Sequence, residues 1–187
     1  KAAAAGPSWE PHHPVIGLMP GSREGEVSAM LPRMVEAAEI VKRELPAARF
    51  TLLLVASAGG KTALRRIRGA TLDVEVKEGP NYQAMAGFNY LIVASGTSTL
   101  EAGLLRIPMV IVYRGHLLSW LLTKPLIKVP HIGLPNLVAG ERIVPELRQY
   151  RVTGERIAEA ALKVIKHKED YLLMRDALGR MAASLDG

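Results

Sequence analysis

The stretch Tyr90-Leu-Ile-Val-Ala-Ser-Gly-Thr-Ser-Thr-Leu-Glu101 decides how the rest of the chain is read. Tyr90 to Ala94 is an apolar run of strand length. It stops at Ser95-Gly96-Thr97, and a helix-forming run of Leu, Glu and Ala follows at once. A strand that ends in a small, hydroxylic turn and opens a helix is a place to hold phosphate. The N–H groups of the first helical turn are free, the macrodipole adds positive charge there, and Gly96 lets backbone approach a ligand. Ser95, Thr97 and Ser98 add hydroxyls, and Glu101, one turn in, suits sugar hydroxyls better than phosphate. The same residues also read as a plain capped helix, with Thr97 or Ser98 as N-cap and Glu101 closing a capping box.

At 187 residues, with 49% hydrophobic and 22% charged side chains, the chain has the composition of a globular protein able to bury a core. It has no cysteine, which excludes disulfides and thiolate metal sites. The net charge of +6 suits an anionic partner, whether nucleotide, phospholipid surface or nucleic acid. Residues 79–100 carry no charge, but Pro80, Asn81, Gln83, Asn89, Ser95 and Gly96 break them up, so they do not read as a membrane span. Residues 104–127 are apolar yet interrupted by Arg106, Arg114, His116 and Lys124, which suits membrane-surface contact. Lys1 to Pro7 lack the apolar core of a secretory signal, and a start without Met reads as a fragment or a processed product.

Working outward, residues 1–14 carry Pro7, Pro11 and Pro14 and read as a linker or arm, with residues 15–187 forming one domain. Val15 to Met19 is a short strand that runs into Pro20-Gly21-Ser22-Arg23. A long helix then places Val27, Met30, Leu31, Met34, Ala38, Val41 and Leu45 on one face before Pro46 ends it. Phe50 to Val55 is a strand buried on both sides, 58–60 a turn, 62–68 a basic helix and Leu72 to Val76 a more exposed strand. Asn81 to Ala86 reads as a short helix, and Met109 to Tyr113 as a strand closed by Arg114. Leu117 to Leu122 reads as a helix, His131 to Arg142 as a loop, and the run from Ile143 to Gln149 as the opening of another helix. Two helices, 155–166 and 169–185, close the chain. The apolar stripe of the last suits core packing and leaves a homo-oligomer open.

Alternation of strands and helices with tight turns implies an α/β fold, a Rossmann-like doubly wound parallel sheet with C-terminal helices. Ligands of such sheets sit beyond the carboxyl ends of the strands. The turns at 20–23 and 95–97 both follow carboxyl ends, so one ligand can touch both.

Pro20-Gly-Ser-Arg23 with Glu26, Ser95 to Glu101, Pro108 to Arg114, Leu134-Pro-Asn136-Leu-Val-Ala-Gly140, and Val144-Pro-Glu-Leu147 with Gln149 occur in this order. Together they resemble the motifs of the lipid-A-disaccharide synthases, inverting glycosyltransferases of the GT-B type. The resemblance runs over residues 15–185 and covers only the carboxyl-terminal, donor-binding half of such enzymes. It implies transfer of diacylglucosamine from its UDP derivative to diacylglucosamine 1-phosphate, within lipid A biosynthesis. The lipid acceptor and the catalytic base belong to an amino-terminal domain without counterpart here, so activity is expected to need that half. The expected partner is a UDP-sugar and not a nucleic acid. The expected location is cytoplasmic, at the inner face of the cytoplasmic membrane.

A UDP leaving group needs its charge stabilised, and helix termini with cations do this without a metal or cofactor. Ser22, Ser95, Gly96, Thr97 and Ser98 are expected around phosphate, with Arg23 bridging two oxygens. Glu101 is expected at ribose. Asn136 and Gln149 are neutral groups suited to phosphate or uracil, and Arg114 is a second phosphate candidate or the partner of an acid. Glu26 is expected to support the Arg23 loop. The sequence departs from the family at Arg148, where an apolar residue is usual; the change reads as surface. The alternatives are a stand-alone UDP-sugar module, or another GT-B transferase or epimerase, which the Pro-Gly-Ser-Arg and Leu-Pro-Asn blocks disfavour.

Overall fold

Alternation along β4 (Tyr90–Ala94) shows how the molecule is layered. Tyr90 and Ile92 belong to one buried cluster, Leu91 and Val93 to another, because successive side chains of a strand point to opposite faces. Both faces of this strand are therefore covered. The computed structural model describes residues 6–54, 72–79, 82–114 and 131–185. The described strands form one parallel sheet in the order β3-β2-β1-β4-β5-β6. Its members are β1 (Val15–Met19), β2 (Arg49–Leu54), β3 (Val74–Glu78), β4, β5 (Met109–Tyr113) and β6 (Glu146–Arg148). The order reverses between β1 and β4, which are neighbours with Ile16 beside Tyr90 and Met19 beside Val93. This is the doubly wound arrangement, and its switch point lies where the two strands end.

Helix α1 (Glu24–Glu44) buries Val27, Met30, Leu31, Met34, Val35 and Val41 against one face. Pro32 lies inside this helix, where its ring removes one intrahelical hydrogen bond, and 21 residues of otherwise regular helix carry that loss. On the same face α1 packs against α5 (Gly154–Lys166). The opposite face is covered by α3 (Thr97–Leu104), α4 (Leu134–Ala139) and α6 (Lys168–Ala183), which touch one another. A short α2 (Tyr82–Met85) leads into β4. Gly17 allows a close approach in the middle of β1: a Cβ there would stand 2.5 Å from Leu91 Cδ2 and 2.6 Å from Phe88 Cδ2.

Residues at the expected arm lie against the domain. The Trp9 indole donates to the Ile165 carbonyl at 3.0 Å, and the Arg175 guanidinium donates to the Pro7 carbonyl at 3.0 Å. The Tyr171 hydroxyl sits 3.0 Å from the Asn89 carbonyl and 3.2 Å from that of Ser8. Burial pushes its phenol pKa up.

Two expectations are corrected. The helix expected to open at Ile143–Gln149 is instead strand β6 followed by a single 3-10 turn, Gln149–Arg151. Pairing with β5, Ile111 beside Glu146 and Tyr113 beside Arg148, outweighs the local helix-start signal. The segment His131–Arg142, expected as a loop, holds α4. Pro135 stands in its first turn, where a missing N–H costs nothing, and Gly140 closes it with φ +71°. The expected turn at 58–60, the helices at 62–68 and 117–122, and residues 115–127 of the segment expected at the membrane surface lie outside the described residues, while Met109–Tyr113 of that segment form β5. Among the described residues, no helix is long and apolar enough to cross a membrane.

Candidate functional site

Beyond the ends of β1 and β4 lies a cavity of about 290 Å³. Its walls come from two turns far apart in sequence, Gly21, Ser22 and Arg23 on one side and Ser95, Gly96, Thr97 and Ser98 on the other, with Glu101 beside them. Larger cavities of about 640 and 660 Å³ lie elsewhere on the surface, and neither is bordered by these turns.

The first turn is shaped by Gly21 and Glu26. Gly21 has φ +118°, and a Cβ there would meet Glu26 Oε2 at 2.5 Å, so both its backbone and its surroundings require glycine. The Glu26 carboxylate accepts from the Ser22 N–H at 3.0 Å and from the Arg23 N–H at 3.4 Å, and pairs with the Arg23 guanidinium at 3.2 Å. Glu26 thus supports the loop, as its position one turn into α1 suggests. The Arg23 side chain is 83% exposed and tethered at one nitrogen, which leaves further donors of its fork facing outward.

The second turn lacks the capping box considered above. The N-cap of α3 is Gly96, without a side-chain cap, and the Thr99 N–H and hydroxyl both turn back to the Gly96 carbonyl, at 3.1 and 2.7 Å. The amides of Thr97 and Ser98 lie ahead of that first bond and have no place in the helical ladder. Gly96 is extended, with φ 168°, and a Cβ there would meet nothing within 4 Å, so the space before the helix is open. Ser95 is committed differently. Its N–H is bonded to the Val112 carbonyl at 2.9 Å and its hydroxyl donates to the Ile132 carbonyl at 3.0 Å. A hydroxyl has one proton, so in this geometry Ser95 anchors the turn and does not donate into the cavity.

Three expected residues lie apart. Asn136 is fully buried at α4. Its amide donates to the Val144 carbonyl at 2.9 Å and to Glu146 at 2.8 Å, and its oxygen accepts from the Ile143 and Val144 N–H groups at 2.8 and 2.9 Å. All of its capacity is used within the fold. Gln149 is buried, has φ +53°, and its Nε2 has no hydrogen-bond partner among the described residues. Arg114 is exposed and borders the separate cavity of about 660 Å³ with Arg33, Glu36 and Tyr150.

Sequence reading missed Glu146. Its side chain is 3% exposed, and its carboxylate collects the Gly133 N–H at 2.9 Å, the Ile132 N–H at 3.1 Å, the Asn136 amide at 2.8 Å and the Arg148 guanidinium at 2.6 Å. Burial pushes the carboxyl pKa up, but the Arg148, Gly133, Asn136 and Ile132 donors outweigh it and hold it below the usual value. The surface assignment of Arg148 is corrected accordingly: it is the counter-ion of a buried acid. A signal was present, since residues two apart share one side of a strand. Among the described residues no group of three His, Cys, Asp or Glu gathers as metal ligands.

Comparison with known proteins bears on this geometry. The family model described as Lipid-A-disaccharide synthetase matches residues 7–180. The lipid-A-disaccharide synthase of Nitrosococcus oceani is 40% identical over 154 residues, covering 82% of this chain and 40% of that protein. That of Solibacter usitatus is 36% identical over 174 residues, covering 93% of this chain and 45% of that protein. The chain thus spans less than half the length of these relatives. Among solved structures, an S. aureus TarM variant in complex with Fondaparinux, alpha-GlcNAc-glycerol and UDP superposes with a TM-score of 0.63 at 13% identity, covering 98% of this chain and 34% of that one. At such identity the likeness speaks for the fold alone, a Rossmann-like half of the GT-B kind.

Proposed function

The chain belongs to the lipid-A-disaccharide synthase family, and from that premise we propose that it is the donor-binding half of such a glycosyltransferase. The donor is UDP-diacylglucosamine, and the sugar passes to diacylglucosamine 1-phosphate, received by the other half of the enzyme. The observation that carries the reading is the convergence of the Gly21–Arg23 turn and the α3 N-terminus on one cavity at the switch point of the sheet.

Each group has a task there. The amides of Gly96, Thr97 and Ser98, with the Thr97 and Ser98 hydroxyls, hold the diphosphate at the positive end of α3. Arg23, swung from Glu26, clamps two phosphate oxygens, and Ser22 adds a donor beside it. These donors meet charge that grows on UDP as the glycosidic bond breaks, and a preorganised cradle stabilises it most where water is excluded. Glu101 accepts from the ribose hydroxyls, while Gln149 lies apart from this cavity and is given no contact with the donor. Asn136 serves by holding the wall behind the turn, and Arg114, which borders a separate cavity, takes no part in holding the donor. The enzyme works on the inner face of the cytoplasmic membrane, where the +6 charge favours anionic lipid. Calorimetric titration with UDP, using ADP as control, tests the reading. It expects UDP to bind in the micromolar to millimolar range and more tightly than ADP; equal binding of the two sinks it.

A further inference from the structure

The Glu146 carboxylate is the most enclosed charge in the described structure, and it lies one peptide away from the donor turn. Ile132 makes the connection. Its N–H donates to Glu146 at 3.1 Å, and its carbonyl accepts the Ser95 hydroxyl at 3.0 Å. The adjacent Gly133 N–H also binds Glu146, at 2.9 Å, so the acid grips two successive amides and fixes the orientation of the carbonyl that Ser95 uses. Gly133 fits because a Cβ there would collide with Ile111 Cδ1. From α4, Asn136 holds the carboxylate, and from β6 Arg148 does so at 2.6 Å.

We propose that Glu146 is a positioning residue of the donor site, setting the Ser95–Ser98 turn through Ile132. The proposal rests on the donor reading above. An ionised carboxylate accepts only, and every group aimed at it among the described residues is a donor, so this ring of contacts is consistent only while Glu146 is charged. Its amide analogue turns an NH2 group toward the Arg148 or Asn136 donors, and one of those contacts opens. The Ile132 peptide then loses its fixed angle, and the Ser95 hydroxyl loses the acceptor that places the next three amides. Displacement of about 1 Å in a binding cradle is enough to cost a large factor in affinity.

The test compares the wild-type chain with Glu146→Gln, Ser95→Ala and the double variant. Without ligand, amide hydrogen exchange at Ser95 and Thr99, the bonded amides that flank the turn, is expected to quicken about tenfold in Glu146→Gln, as a local opening would produce. With UDP as probe, each single variant is expected to bind about tenfold more weakly. The double variant is expected to be no weaker than either single one, because both cut the same connection. A merely structural role for Glu146 would lower the melting temperature but leave the two effects on affinity additive; that result, or unchanged exchange at Ser95 and Thr99, overturns the proposal. If Glu146→Gln does not fold, Arg148→Met removes the ion pair while keeping the carboxylate and is read the same way, with smaller expected changes. Wild-type protein that ignores UDP would remove the donor reading, while the exchange comparison would still decide whether Glu146 sets the turn.

Discussion

Replacing Asn136 by alanine separates two roles for this residue. As a ligand contact it would affect UDP affinity and leave the fold untouched. In the structure it is fully buried and makes four hydrogen bonds, two donated and two accepted, one of them to ionised Glu146. Neutral hydrogen bonds contribute about 1 kcal/mol each and one to a charged group about 1.5–3 kcal/mol. The sum is an upper bound, since water entering the vacated space recovers part of it. A loss of about 2–4 kcal/mol follows. For a chain of this size each kcal/mol lowers the melting temperature by about 2–4 °C, so a fall of about 5–15 °C is expected by circular dichroism. Asn136→Asp supplies the control. It keeps both acceptor bonds but faces a second carboxylate across the 2.8 Å gap to Glu146, so its deficit should be largest at neutral pH and shrink as falling pH lets the pair take up a proton. Alanine and wild-type proteins melting within about 2 °C of each other, with UDP binding lost in the variant, would refute the buried-hub account.

Other variants probe separate parts of the structure. Arg23→Ala should weaken UDP binding by about 1.5–3 kcal/mol, the value of a charged hydrogen bond, without changing the melting temperature; unchanged affinity in a titration would remove Arg23 from the phosphate. Gly17→Ala should cost about 1–3 kcal/mol in urea unfolding, because its Cβ meets Phe88 and Leu91 at 2.5–2.7 Å and both are buried; a neutral outcome would mean that the β1–β4 core yields easily. Glu146 has a folded pKa below its ordinary value of 4.5, so its contribution is present above that value and is lost as pH falls through the folded pKa. Glu146→Gln should accordingly melt lower at neutral pH and show a shallower acid decline than wild type; parallel melting curves against pH would contradict this. Tyr171→Phe should free residues 7–9 to proteolysis at a stability cost of about 1 kcal/mol, and equal cleavage rates would show that the hydroxyl does not hold the arm.

How far the sequence carried depended on whether the signal was local. β1, β4 and their turns could be read because an apolar run followed by Gly-Ser-Arg or Ser-Gly-Thr contains its own punctuation. That the two turns share one edge of the sheet followed from their places at carboxyl ends, whereas the switch point came only with the strand order. β6 could not be read this way. It is three residues long, and what makes Glu146 to Arg148 a strand is pairing with Ile111 to Tyr113, some 35 positions away. Pro145 before Glu146 imitates a helix start, and Pro135 in α4 imitates a turn, since proline suits either setting. The chemistry of single side chains was legible in kind but not in partner. A hydroxyl at Ser95 suggests phosphate, yet its proton goes to the Ile132 carbonyl, and a polar Asn136 suggests ligand, yet its partners lie seven to ten residues ahead.

The central claim is that UDP is held between the Gly21–Arg23 turn and the N-terminus of α3. Backbone amide shifts recorded while UDP is titrated into the labelled chain test it residue by residue. The account predicts that the largest movements fall on Ser22, Arg23, Gly96, Thr97 and Ser98, with magnesium making little difference. Movements centred instead on the cavity beside Arg142, Lys163 and Leu173, with residues 21–23 and 96–98 unmoved, would contradict it.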